Sequence, residues 1–275
     1  MPPSGFRVHL VGVHWAPLRI FSGRRPHRDG RGSVPAGLPP QDGDRDQREG
    51  PPMKPERLID STPTPGGDDL QLYERDGVFT LRISGIELMT SRAHDSEEEL
   101  AWMTMKLVDR GCRPRVLVGG LGMGYTTRAA LDSTPRPSEV VVAELLPSVV
   151  RWNRDHIGHL AGSPMDDPRA TVVERDIWDV IRDSPNGFDV ILNDVDNGPG
   201  GCALDRNERL YRADGLAAIR RCLRPKGVLG IWCVEDDPRF VKAMSAAGFR
   251  ARAETIFARK VAKGHRHTIF IGQAP

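Results

Sequence analysis

The sequence predicts an α/β protein built on a mostly parallel sheet, with a small antiparallel meander before it and an antiparallel hairpin closing it. Three observations carry that prediction. Residues 115–131 (RVLVGGLGMGYTTRAAL) pass from a short β-branched apolar run, through Gly119, Gly120, Gly122 and Gly124, into a stretch of helix composition. That is the strand–turn–helix order of a nucleotide-binding βα unit, in which the glycines let backbone approach a ligand. Further short apolar runs at 139–143, 170–173, 188–192 and 228–232 are separated by helix-like segments, as parallel strands joined by crossovers require. Finally, the runs 250–257 and 268–271 have only a short basic loop between them, so they can pair antiparallel.

Composition bounds the rest. The 275 residues accommodate one α/β domain and an appendage, with 39% hydrophobic content for the core. A net charge of +2 gives no mandate for nucleic acid or a membrane surface. Cys112, Cys202, Cys222 and Cys233 lack CxxC spacing, so neither a metal site nor a disulfide framework is expected, and reduced thiols in a cytoplasm are. No apolar run approaches the ~18 residues that span a bilayer. The opening VHLVGVHWAPLRI is broken by His9, His14 and Pro17 and carries no small-residue cleavage site, which argues against a signal peptide. Residues 1–52 have arginines at 24, 25, 28 and 31, no lysine, and after Phe21 only Val34, Ala36 and Leu38 as apolar residues. Such a segment cannot bury enough surface to offset its ordering entropy, so it reads as a disordered basic tail. Asp42, Asp44, Asp46 and Glu49 dilute its charge, and a second reading takes Met53 as the true start. The expected organisation is tail 1–52, meander and connecting helix 53–110, and main domain 111–275.

The elements follow in order. Runs 70–73 and 78–83 alternate like strands around Asp76-Gly77, a hairpin turn, and Ser84-Gly85 turns into 86–89. Ser96 reads as an N-cap before the acidic turn Glu97, Glu98, Glu99, with the helix continuing through Leu100, Met103, Met105 and Leu107 to Gly111. His94, in the connection, is better read as a surface-loop residue than as a substrate contact. The second main strand ends on Glu144, about twenty residues past the glycine loop, where a carboxylate suits a ribose with two free hydroxyls. Residues 147–156 read as a helix. The third strand ends in Glu174-Arg175-Asp176-Ile177, which sets Asp176 where an adenine amino group could donate to it. The fourth ends in Asn193-Asp194-Val195-Asp196-Asn197, two carboxylates and two amides that are costly at a strand end without a purpose. A helix over 209–223, a turn at 223–227, the fifth strand and a helix opened by Asp237-Pro238 complete the chain before the hairpin.

Taken together, VLVGGLGMG, Glu144, DPRATVVERDIWDVI, FDVILNDVDNGP, LRPKGVLGIW and the preceding meander resemble the class I S-adenosylmethionine-dependent transferases, and among them the spermidine synthase family. The resemblance covers about residues 58–272. It implies a Rossmann-like class I methyltransferase sheet, a donor that is S-adenosylmethionine or its decarboxylated form, a small-molecule amine acceptor, and a homodimer. It also implies roles. Gly119 belongs to the glycine loop, Gly120, Gly122 and Gly124 line the methionine side of the donor, Glu144 holds the ribose, and Asp176 and Ile177 meet the adenine. Asp194 is the base that deprotonates the amine, and Asp196 helps attract a cationic acceptor. Three departures accompany the match. Gly122 replaces the aspartate of a GGGDGG-like loop, DxxDP becomes Asp194-Val195-Asp196-Asn197, and Glu98 and Glu99 stand in the region of an expected tyrosine–histidine pair. Aminopropyl transfer therefore stands beside methyl transfer from S-adenosylmethionine, whose carboxylate would suit Gly122. A catalytically silent adenosyl-binding homologue is the third reading, and a nicotinamide oxidoreductase the least favoured.

Overall fold

In the computed structural model the described residues are 54–109, 111, 113–134, 138–195, 198, 207–259 and 265–275. The expected tail, Met53, Cys112, Cys202 and Asp196 lie outside them. Four strands come first: β1 (Arg57–Pro63), β2 (Asp69–Arg75), β3 (Val78–Ile83) and β4 (Ile86–Thr90), hydrogen-bonded in that order. Asp76 and Gly77 both have positive φ (52° and 77°), as do Ser84 and Gly85 (49° and 80°), so each loop has the left-handed backbone whose twist suits a two-residue hairpin. β1 is not predicted by the sequence pattern. It is an edge strand of mixed exposure with a bulge between Leu58 and Asp60, so its residues show no period-two alternation. Leu70, Leu72, Leu81 and Ile83 of the meander join the same buried cluster as Leu100 of the following helix and Val116 of the main sheet. Residues Pro55–Pro275 accordingly form one unit.

The helix α1 (Asp95–Met105) starts two residues earlier than the sequence suggests, with His94 at the N-cap and no side-chain cap. Ser96 is not the cap because its hydroxyl donates to Glu97 Oε2 (2.6 Å) inside the first turn. The main sheet holds β5 (Arg115–Gly119), β6 (Glu139–Glu144), β7 (Ala170–Glu174), β8 (Phe188–Asn193), β9 (Leu223–Cys233), β10 (Arg250–Phe257) and β11 (Arg266–Gln273), in the order β10-β11-β9-β8-β5-β6-β7. β5 through β9 pair in parallel, and β11 inserts antiparallel between β9 and β10. Buried residues alternate strictly across this sheet: Val116, Val118, Val140, Val142, Val190 and Leu192 face one cluster, and Leu117, Val141, Ala143 and Ile191 face the other. Two covered faces explain why these strands read as continuous apolar runs.

The remaining helices are α2 (Tyr125–Ser133), α3 (Pro147–Trp152), α4 (Ile177–Arg182), α5 (Glu208–Tyr211), α6 (Ala213–Cys222) and α7 (Pro238–Ala246). Two expected helices are corrected. The 147–156 segment is α-helical only to Trp152 and continues as a π-turn, Asn153–Ile157. The 209–223 segment breaks at Arg212, whose extended backbone (ψ 167°) separates α5 from α6. The turn expected at 223–227 is a bulge within β9, where Phe188 pairs with Leu223 but Val190 pairs with Val228. Asp237 caps α7 as expected, accepting from Arg239 N (2.9 Å). No helix among the described residues is long and apolar enough to cross a membrane.

Candidate active site

The strand order reverses at β5, with β6 and β7 to one side and β8 and β9 to the other. Loops leaving the carboxyl ends of β5 and β8 therefore diverge and open a crevice, the place where open α/β sheets bind ligands. A cavity of about 200 Å³ lies there. Gly120, Gly122, Glu144, Asp176, Ile177, Asp194 and Val195 line it from the sheet, and Leu70, Leu81, Ile83, Leu88 and Met89 cover it from the meander. Glu97 of α1 and Trp232 of β9 complete the wall.

One wall is built from backbone. Gly120 has φ +82°, and a Cβ there would lie 2.6 Å from the Asp194 carbonyl oxygen, so only glycine lets the two strand-end loops close on each other. At Gly122 a Cβ would lie 3.1 Å from Met89 Sδ: the meander fills the space that the resemblance assigns to an aspartate. Gly119 and Gly124 do not line the cavity. The missing side chain of Gly119 leaves room for Ile177, and Gly124 sits at the N-cap of α2 against Pro164. Asn153 ties the loop to the π-turn by donating from Nδ2 to the Gly122 carbonyl (2.8 Å) and the Val149 carbonyl (3.0 Å).

Glu144 is buried at the end of β6, where it accepts from the backbone N–H of Leu121 (2.9 Å) and Leu146 (2.8 Å). Burial raises its pKa, and those N–H groups oppose the rise by favouring the carboxylate. Asp176 is the N-cap of α4. It accepts from Trp178 N (2.8 Å) and pairs with Arg209 (2.6 Å), whose guanidinium lies 5.1 Å from the Trp178 ring centre. Its carboxylate is thus fixed in orientation at the cavity wall.

The opposite wall carries two carboxylates of another kind. Asp194 follows β8 and accepts the Thr126 hydroxyl at the start of α2. Burial and the charge of Glu97 push its pKa up to about 8, against the lowering effect of Thr126. Glu97 is 7% exposed and its pKa is also raised, burial being the main cause. Neither forms an ion pair with a described residue. Asp196, the other expected catalytic acid, falls outside the described residues. His94 does not line the cavity; it stacks on Tyr125 (4.0 Å between ring centres) and bonds Glu98 (2.8 Å).

Glu97, Thr126, Asn153 and Trp232 were missed as site residues. Glu97 could have been found: on a helix it shares a face with Leu100, Ala101 and Thr104, all buried, so it points inward with them. Thr126 and Trp232 carry no such signal, because tertiary packing alone brings Thr126 to Asp194 and Trp232 to the cavity.

A sequence model of the spermine/spermidine synthase domain matches residues 102–260, more than half of the chain. The chain belongs to the spermine/spermidine synthase family. A polyamine aminopropyltransferase from Aeropyrum pernix is 32% identical over 161 residues, covering 55% of this chain and 50% of that protein. One from Pectobacterium carotovorum is 29% identical over 177 residues, covering 62% and 58%. The chain thus spans between half and three-fifths of the length of these two curated relatives. A spermidine synthase solved with the transition-state analogue AdoDATO superposes with a TM-score of 0.65 at 22% identity, over 80% of this chain and 74% of that one. That likeness establishes the spermidine synthase fold expected from the sequence.

Proposed function

We propose that this family member transfers an aminopropyl group from decarboxylated S-adenosylmethionine to an amine acceptor, with Asp194 as the base. The single observation that carries this reading is Asp194 itself. It is a desolvated carboxylate without an ion-pair partner among the described residues, in the same cavity as the glycine loop and Glu144. The names of the curated relatives support the same chemistry. No arginine or lysine stands among the described residues lining the cavity, while Glu97 and Asp194 do. A donor carboxylate would meet acids there, and a donor ammonium would be welcomed, which favours the decarboxylated donor over S-adenosylmethionine.

In this reading Gly120 and Gly122 bring backbone against the donor, Glu144 takes the ribose hydroxyls, and Asp176 with Ile177 borders the adenine. The apolar cover from the meander excludes water from the sulfonium. Asp194 removes one proton from the attacking ammonium. The freed lone pair forms the N–C bond as the C–S bond breaks, and its electrons neutralise the sulfonium to the thioether of methylthioadenosine. A group with its pKa pushed up to about 8 is well matched to taking a proton near neutral pH. The test incubates the full chain with each donor and a panel of diamines, reading products by mass spectrometry. Methylthioadenosine and an aminopropylated amine are expected from the decarboxylated donor. Methylated product from S-adenosylmethionine in their place would overturn the reading.

A further inference from the structure

We propose that Glu97 and Asp194 together form a two-carboxylate seat for the ammonium group of the acceptor amine, with Glu97 as its specificity-determining contact. The inference rests on the aminopropyl-transfer reading for its chemistry and adds to it a residue on a different element. Three observations carry it. Glu97 lines the same cavity as Asp194 yet is 7% exposed, and no described residue gives it an ion-pair partner. The Ser96 hydroxyl holds one of its oxygens, Oε2, at 2.6 Å, so the carboxylate is oriented. Thr126 links the two acids: its hydroxyl donates to Asp194 and lies 3.3 Å from the Glu97 carbonyl oxygen, which fixes the first turn of α1 against the loop after β8. Trp232 stands in the same wall with its buried indole N–H unpartnered among the described residues, an aromatic surface fit for the methylene chain of an amine.

Two neighbouring acids in a desolvated site cannot both ionise without a cation, so the empty pair retains a proton. The groups facing Glu97 are His94 and Glu98 on its own helix, Tyr125 on α2 and Asp194. Among them His94 favours the ionised form of Glu97 and Glu98 opposes it. An arriving ammonium supplies the missing positive charge, both carboxylates ionise, and the retained proton leaves to solvent. Glu97 then holds the cation while Asp194 is poised, as a carboxylate, to take the proton of the attacking nitrogen. A neutral acceptor would gain none of this, which makes the site selective for amines.

The test is calorimetric titration of the full chain, saturated with methylthioadenosine, with 1,4-diaminobutane in two buffers of different ionisation enthalpy. Wild-type protein is expected to bind the diamine with net release of up to about one proton. Glu97→Gln, which keeps the shape of a protonated glutamate, is expected to bind it about tenfold or more weakly and to release fewer protons, with methylthioadenosine binding unchanged. Glu97→Ala, free of any amide contact, is expected to lose affinity likewise. Diamine affinity and proton release equal to wild type in both variants would overturn the proposal, as would a wild type that binds no diamine. The readout needs no turnover. A chain that binds diamine through Glu97 but yields no aminopropylated product keeps the seat and loses the transfer reading, whereas transfer by Glu97→Gln at the wild-type KM removes the seat alone.

Discussion

Both walls of the cavity hold desolvated carboxylates, and they surround them with different partners. Glu144 and Asp176 are 7% and 6% exposed, yet each is met by groups that favour its charge: two backbone N–H donors for Glu144, a helix N-terminal N–H and Arg209 for Asp176. Glu97 is as buried and Asp194 is desolvated, but hydroxyls of Ser96 and Thr126 donate to them and neither has an ion-pair partner among the described residues. A satisfied buried acid is a fixed acceptor; an uncompensated one is a site that awaits a positive charge or a proton. On the proposed reading, the contrast separates a wall that positions a ligand from a wall that reacts with one.

The strongest way to break that comparison is Asp194→Asn. Loss of a positioned base should lower kcat by a factor on the order of 10²–10⁴, while calorimetry shows donor affinity unchanged. If turnover persisted, Asp194 would be no more than a wall residue. Gly120→Ala comes next. A methyl group 2.6 Å from the Asp194 carbonyl, at φ +82°, strains both loops at once. A loss of ~1–3 kcal/mol in denaturant unfolding is expected, with donor binding weakened as well. An alanine variant of full stability and affinity would mean that the close approach of the loops is not needed.

These residues were not equally legible in the sequence. Gly120, Gly122 and Glu144 announced themselves because strand, turn and strand-end positions are local patterns, and the parallel core followed from apolar runs covered on both faces. The seven-stranded order and the antiparallel insertion of β11 were only partly legible: the hairpin was, its register beside β9 was not, since nothing local says which of two paired strands lies inward. Glu97 was legible only through its helical spacing from Leu100, Ala101 and Thr104, and its surroundings mask that signal. Its place in a run of three glutamates reads as a solvated, dipole-favoured first turn, and burial of one of the three depends on α1 packing over the sheet. Thr126, from α2, meets Asp194 across 68 positions of sequence, beyond any local pattern.

A smaller effect sharpens the first wall. Glu144→Gln keeps an acceptor oxygen for one of the two N–H groups of Leu121 and Leu146, but sets an NH₂ against the other or, on the proposed reading, against the ribose. Donor affinity measured by titration should fall about tenfold, ~1.4 kcal/mol, with kcat at saturating donor little changed. A fall in kcat with affinity intact would move Glu144 from positioning into the reaction.

The last prediction concerns stability and turns the same contrast into a pH dependence. An unfolded aspartate ionises near its ordinary value of 3.8, whereas folded Asp194 keeps its proton until about pH 8. Between those values the folded state binds the extra proton, so this group's stabilising contribution is complete below the ordinary value and is lost as pH rises towards 8. Glu97 adds a contribution of the same sign, its pKa being raised above 4.5. Asp167 has the opposite sign: the Arg169 guanidinium holds it far below the carboxylate range, so its contribution is present above 3.8 and lost in acid. Melting temperatures recorded from about pH 5 to about pH 8 should therefore show Asp194→Asn gaining on wild type with rising pH, while Asp167→Asn stays less stable throughout. An Asp194→Asn difference that is flat with pH would mean the acid is ionised in the folded protein at neutral pH.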